Sequence, residues 1–264
     1  MKRRLLAGGL IMTLFNAAFA AAGGNATGFL DRTLTQDGRA HRYQVYVPSD
    51  FTPGRAWPVI LFLHGSGERG DDGLRQTQVG LPSAIRWSRE RFAAIVVMPQ
   101  LPAGCTWTGD MADMAMASLE ASVAEFHGDE DRLYLTGLSL GGYGTWLLAA
   151  EHPGKFAAIA PVCGGVVPPP GRATSVVQLP ATVGLADPYA ETARLVGATP
   201  TWIFHGADDT VIPPSESRRM AEALKAAGNE ARFTEFPGVG HGAWDPAYGS
   251  AELWAWMFAQ QRGD

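Results

Sequence analysis

The stretch Leu133-Tyr134-Leu135-Thr136-Gly137-Leu138-Ser139-Leu140-Gly141-Gly142-Tyr143-Gly144-Thr145-Trp146 decides the fold of this 264-residue chain. It opens as an extended apolar run and closes in the apolar run 145–150, with Gly137-x-Ser139-x-Gly141 at the join. A serine on a sharp strand-to-helix turn holds a strained backbone. Side-chain-free neighbours two positions either side let strand and helix pass closely. The turn exposes the hydroxyl, and the helix N-terminus behind it aims N–H groups at a developing negative charge. In a chain with 32 glycines the pattern alone does not separate a nucleophile from a glycine-rich turn. A strand candidate before it, a helix candidate after it and suitable partners downstream make that separation.

Outward from this stretch, further strand candidates fall at 43–47, 58–63, 93–98, 132–136, 156–162, 201–204 and 231–236. The run Pro58-Val59-Ile60-Leu61-Phe62-Leu63 is apolar throughout, as a strand buried on both faces should be. Helix candidates lie between the strands at 81–92, 111–126, 144–151, 215–227 and 251–260, with Ser215 as an N-cap candidate and Gly228 as a stop. Strand–helix alternation predicts an α/β fold, a mostly parallel sheet with helices on both faces. Ligands then bind beyond the carboxyl ends of the strands.

The chemically suggestive loops all follow strands. After 58–63 comes His64-Gly65-Ser66-Gly67-Glu68-Arg69-Gly70, whose glycines let backbone approach a ligand. Its Ser66 N–H is a candidate oxyanion donor beside that of Leu140, the residue after the serine, while His64 itself reads as structural. After 201–204 comes His205-Gly206-Ala207-Asp208-Asp209, with Asp208 and Asp209 as candidate acids, Asp187 as a more distant one and His205 as structural. After the last strand comes Gly240-His241-Gly242-Ala243-Trp244-Asp245. A serine hydroxyl is a poor nucleophile until a histidine takes its proton and an acid fixes that histidine's tautomer. Ser139, an acid and His241 supply those parts in that chain order, whereas His41, His127 and His152 have no comparable setting.

The N-terminus reads as a secretory signal peptide over 1–20: Lys2, Arg3 and Arg4, then a short apolar run, then Ala18-Phe19-Ala20. That run is too short to span a bilayer, so no stable membrane anchor is expected and the protein is secreted or periplasmic. Loss of the leader removes three cations and no acid, taking the formal charge from −5 to −8, which argues against nucleic acid as a partner. Residues 21–39 read as a flexible N-terminal segment with a candidate first strand, and 40–264 as one catalytic domain.

These motifs resemble the α/β-hydrolase superfamily. More narrowly, the chain resembles secreted esterases related to feruloyl and acetylxylan esterases, polyhydroxybutyrate depolymerases and prolyl-oligopeptidase-like peptidases. The resemblance covers about residues 40 to 262 and rests on five segments. They are Leu63-His64-Gly65-Ser66-Gly67-Glu68-Arg69-Gly70, Met98-Pro99-Gln100, the segment around Ser139, Phe204-His205-Gly206-Ala207-Asp208-Asp209 with Val211-Ile212-Pro213, and Gly240-His241-x-x-Trp244-Asp245. It implies the triad Ser139, Asp209 and His241, because the acid of such proteins follows His-Gly-x-x. Gly242 departs from the Asn that relatives often carry after the histidine.

About 38 residues separate the strands at 156–162 and 201–204, beyond ordinary loop length, and they include Pro168-Pro169-Pro170-Gly171. In the resembled fold an insertion here overhangs the active site, which implies a small lid, with a surface excursion as the alternative. Trp107, Tyr143 and Trp244 flank the site as candidates for a substrate-binding pocket that accepts aromatic groups, with core packing as the alternative for each. Arg69 is the one cation noted near the site as a possible carboxylate or phosphate contact. Secretion permits a disulfide between Cys105 and Cys163. In the usual strand order of this fold their strands lie three spacings, roughly 14 Å, apart, and a bridge needs Cα atoms within about 7 Å, so the pairing stays open. No zinc-type ligand spacing, no P-loop and no dinucleotide fingerprint followed by the right acid is present, so no metal site is expected and catalysis is expected to need no cofactor. The expectation is an exported serine hydrolase cleaving small-molecule or polymer-derived carboxylic esters through an acyl-enzyme. A serine peptidase using the same residues and a non-catalytic binding protein on a hydrolase scaffold are the alternatives.

Overall fold

The computed structural model describes residues 26–169 and 178–263. The leader at 1–20 and part of the proline-rich segment lie outside them. The strands are β1 Gly28–Gln36, β2 Arg39–Val47, β3 Trp57–Leu63, β4 Ile95–Pro99, β5 Gly128–Leu138, β6 Ala158–Val162, β7 Trp202–Gly206 and β8 Arg232–Phe236. The helices are α1 Leu81–Trp87, α2 Asp110–Phe126, α3 Leu140–Glu151, α4 Pro188–Val196, α5 Ser215–Ala226, α6 Trp244–Gly249 and α7 Ala251–Phe258.

The strands form one sheet in the order β1-β2-β4-β3-β5-β6-β7-β8. Pairing is parallel from β4 to β8 and antiparallel where β2 meets β1 and β4. Strand β3 shows why the middle is apolar throughout. Its Val59, Leu61 and Leu63 join one core cluster, Ile60 and Phe62 join the other, and all five are fully buried. The first cluster is covered by α2, α3, α4 and α5, and the second by α1, α6 and α7. Helix α7 places Leu253, Trp254 and Met257 on its buried side, three and four residues apart, each contributing about 1.5–3 kcal/mol on leaving water.

The expected alternation holds, with local corrections. The helix expected over 81–92 stops at Trp87, because Ser88 turns to φ −150°, ψ 62° and a 3₁₀ turn, Arg89–Arg91, follows. Ser215 is the first helical residue of α5 rather than its cap; Pro214 holds the cap position without a side-chain bond. Helix α3 starts at Leu140, earlier than the 144 expected, so its first turn carries the glycines of the serine motif. The long segment after β6 contains α4, capped by Asp187, whose carboxylate accepts the N–H groups of Tyr189 (3.1 Å) and Ala190 (3.0 Å). This cap accounts for Asp187, the third candidate acid.

Cys105 and Cys163 are free thiols. Cys105 follows β4 and Cys163 follows β6, with β3 and β5 between those strands, so the sheet order keeps the two apart. No helix among the described residues is long and apolar enough to cross a membrane.

Candidate active site

The serine sits where β5 turns into α3. Ser139 has φ 54° and ψ −116°, a region an L-residue occupies only under constraint. The constraint is visible: the Ser139 N–H donates to Val162 O at 2.9 Å, and Ser139 O accepts the N–H groups of Gly142 (2.9 Å) and Tyr143 (3.2 Å). The flanking glycines are required by space. A Cβ on Gly137 would stand 2.3 Å from Gly141 O, and one on Gly141 would stand 1.9 Å from Leu63 O. The elbow thus presses against the end of β3, which carries the His64 loop.

Three strand-end loops converge on this hydroxyl. His241 follows β8, and its Nε2 lies 2.9 Å from Ser139 Oγ. Its Nδ1 lies 2.6 Å from Asp209 Oδ2, on the loop after β7. Asp209 has a fully buried side chain, while its neighbour Asp208 is exposed, and this separates the two candidate acids. Both Asp209 oxygens are occupied. Oδ1 accepts the N–H groups of Val211 (2.8 Å) and Ile212 (3.0 Å), and Oδ2 also lies 3.2 Å from His205 Nε2. Burial alone would raise the Asp209 carboxyl. The hydrogen bonds from His205, His241 and Ile212 outweigh it and hold the group well below the usual carboxylate range. With an anion on its Nδ1 side, His241 carries the Nδ1 proton and presents Nε2 as the acceptor facing the serine.

On the opposite side lies the His64 loop. Residues Ser66–Glu68 form a single 3₁₀ turn. A Cβ on Gly65 would meet Ser139 Cβ at 3.5 Å, so this turn abuts the serine. Ser66 and Leu140 are each the first residue of a helical turn, a position whose N–H has no carbonyl within its own helix to bond.

The aromatic candidates separate. Trp244 opens α6, is half-buried, and meets the His241 ring edge-on at 5.4 Å. It also lines a cleft of about 330 Å³ between α1 and α6, at whose rim Trp87 is 88% exposed. Trp107 and Tyr143 are buried in the core instead of lining an open pocket. The Trp107 indole N–H donates to His64 O at 3.1 Å, and the Tyr143 hydroxyl donates to Val167 O at 3.2 Å.

Two polar residues at the site had no role assigned from sequence. Gln100, buried at the end of β4, donates to Glu68 O (3.2 Å) and accepts the Gly73 N–H (2.7 Å). Glu216 on α5 accepts the N–H groups of Val166 and Val167, both at 3.1 Å, and the Tyr189 hydroxyl at 2.6 Å. It ties the start of the long segment and α4 to the helix that follows the acid loop. A glutamine directly after an apolar strand was the available signal for Gln100; Glu216 gave none. Among the described residues no group of three or more His, Cys, Asp or Glu side chains is placed to hold a metal ion.

A mostly parallel sheet that carries a serine on such an elbow, with acid and histidine on later strand ends, is of the α/β-hydrolase class. Within that class the chain belongs to the dienelactone hydrolase family, whose model matches residues 103–252, over half its length. It is 28% identical to a poly(3-hydroxyoctanoate) depolymerase of Pseudomonas fluorescens over 78% of this chain and 76% of that protein. It is also 28% identical to an uncharacterized secreted protein of Arthroderma benhamiae, over 70% of this chain and 21% of the fungal one. A thermostable esterase of known structure superposes with a TM-score of 0.73 at 30% identity, covering 89% of this chain and 63% of that one. The chain thus spans less than two thirds of the length of the fungal protein and of the esterase.

Proposed function

We propose that this protein is an exported serine hydrolase that cleaves carboxylic esters through an acyl-enzyme. The observation that carries the reading is the unbroken chain from Ser139 Oγ through the His241 ring to the buried Asp209 carboxylate, at 2.9 and 2.6 Å. His241 Nε2 takes the Ser139 proton as Oγ attacks the acyl carbon, and the carbonyl electrons move onto oxygen. The N–H groups of Leu140 and Ser66 receive that oxyanion. Collapse of the tetrahedral species expels the alcohol, which takes the proton from His241. Water then attacks the acyl-enzyme, again giving its proton to His241, and the acid leaves as Oγ is reprotonated. Asp209 remains ionised throughout and stabilises the imidazolium.

Esters are favoured as substrates by the depolymerase and the esterase among the relatives. Export is favoured by the leader-like N-terminus and by the secreted relative. The test is turnover of p-nitrophenyl acetate, butyrate and octanoate, methyl ferulate and a peptide anilide by wild type and Ser139→Ala. Ester cleavage that disappears in a folded Ser139→Ala protein is the expected result. Equal rates in the two proteins would end the proposal, and faster cleavage of the anilide than of matched esters would make the protein a peptidase.

A further inference from the structure

The oxyanion donors proposed above are only as good as their aim, and the Ser66 N–H belongs to a loop residue. Across a trans peptide, the C=O of one residue and the N–H of the next point in opposite directions. The Gly65–Ser66 bond is trans, as are all peptide bonds of the described residues. Whatever fixes the Gly65 carbonyl therefore aims the Ser66 N–H.

Gly65 O is fixed by the preceding side chain. His64 Nδ1 lies 2.6 Å from it, and both groups are buried. A ring nitrogen facing a carbonyl must carry the proton, so Nδ1 donates. The other nitrogen is occupied as well: Nε2 accepts the Leu101 N–H at 3.0 Å. The ring is braced by the edge of Trp107 at 5.1 Å, while the Trp107 N–H holds the His64 carbonyl. With both nitrogens committed, His64 has no free position from which to carry protons in the reaction. Burial also pushes its pKa down to about 4, so it stays neutral at neutral pH.

A second side chain approaches Gly65. Glu68, the third residue of the turn, directs its carboxylate back toward Gly65: its Oε2 lies 3.1 Å from where a Gly65 Cβ would stand, the placement from which such a residue reaches the cap N–H. Glu68 is in turn tethered to the end of β4, where Gln100 donates to its carbonyl at 3.2 Å. The Gly70 N–H donates to Leu101 O at 2.8 Å, so Gln100 and Leu101 grip the loop at both ends.

We infer that the Glu68 carboxylate accepts the Gly65 N–H while His64 holds the Gly65 carbonyl, and that the two are positioning residues that clamp Gly65 and thereby aim the Ser66 N–H at the substrate oxyanion. The inference rests on the reading of Ser139 as the nucleophile. It assigns a task to two motifs the triad leaves unused, His64-Gly65-Ser66-Gly67-Glu68 and Pro99-Gln100. Neither side chain touches the reacting atoms.

The test compares wild type, His64→Asn, Glu68→Ala and Glu68→Gln for kcat and KM on p-nitrophenyl butyrate, and for inhibition by phenylboronic acid. The boronate adds to the serine and places a tetrahedral oxygen in the donor pair. Loss of one oxyanion donor costs on the order of a hundredfold or more in kcat, so a misaimed one should cost about tenfold to a hundredfold. His64→Asn and Glu68→Ala should lower kcat by that factor with KM unchanged, and weaken boronate inhibition in parallel. Glu68→Gln, whose amide oxygen still accepts the Gly65 N–H, should restore kcat to within a few-fold of wild type. Unchanged kcat in His64→Asn and Glu68→Ala overturns the clamp. So does a kcat loss that leaves boronate inhibition intact or arrives with an equal rise in KM. If His64→Asn does not fold, the half-buried Glu68 pair of variants decides the question alone. A wild type without Ser139-dependent turnover would instead remove the reading on which the clamp rests.

Discussion

The loops after β3 and β8 each carry a histidine followed by a glycine, and the two rings meet opposite environments. His241 is partly exposed, with a carboxylate on one nitrogen and the serine hydroxyl on the other. His64 is fully buried, with a backbone carbonyl on one nitrogen and a backbone N–H on the other. Residue type and place in the fold are the same; the partners differ. A ring between an anion and a hydroxyl can take and return a proton, because the anion stabilises the charged form. A ring between two peptide groups has a fixed tautomer and serves as a brace. His205 shows a third arrangement. It is buried, lies 3.0 Å from Ile212 O and 2.7 Å from Ser217 Oγ, and its Nε2 lies 3.2 Å from the same Asp209 Oδ2 that meets His241.

The largest effect expected of the His241 side comes from its acid. Asp209→Asn should lower kcat by about 10⁴-fold, because the amide favours the wrong imidazole tautomer. Asp208→Asn, one residue away and exposed, should leave kcat unchanged. Steady-state kinetics on one p-nitrophenyl ester checks both, and similar losses in the two variants would erase the distinction between the acids.

On the His64 side the corresponding signature is in stability. An unfolded histidine titrates near 6.5, and buried His64 near 4. Below about 6.5 the unfolded chain binds a proton that the folded one refuses, so stability is full above that pH and is lost as pH falls toward 4. The size is on the order of 3 kcal/mol at most. Thermal melts from pH 7 to pH 4 should show wild type falling more steeply than His64→Asn; parallel curves would mean the ring protonates in the fold. Asp209 works in a separate window. Its folded pKa is depressed, so its contribution is full above about 4 and lost only below that.

The smallest effects belong to the two tryptophans that touch these rings. Trp107→Phe removes the bond to His64 O and should cost about 1 kcal/mol of stability, read as a modest drop in Tm. Trp244→Ala removes the ring beside His241 at the cleft and should change kcat/KM by up to about tenfold, with little change in Tm. Exchange of these two outcomes would mean the buried and open sides had been misassigned.

Much of this contrast was legible in the sequence. Glycines at 137 and 141 announce an elbow because no Cβ fits there, and apolar runs ending at 63, 136 and 204 place the reactive loops at one sheet edge. The sequence also marked His64 as structural, but its partners come from Gly65 and from Leu101 after β4, which no local pattern pairs. Trp107 and Trp244 looked alike, since burial depends on the packing of α2 and α6 against the sheet. The first strand was weak for a different reason. Phe29, Leu30 and Leu34 are few and irregularly spaced along an edge strand, and only Asp37-Gly38, both at positive φ in a two-residue turn, signals the hairpin with β2. Helix α4 was signalled by Asp187-Pro188, a cap followed by proline at the first helical position, within a segment that otherwise read as a loop.

The most direct test of the central claim is to locate the adduct of a fluorophosphonate probe by mass spectrometry on the folded protein. The account predicts a single phosphonylated residue, Ser139, with loss of ester turnover in proportion to labelling. A probe that leaves Ser139 unmodified while ester turnover continues, or that inactivates the protein by modifying another residue, would contradict it.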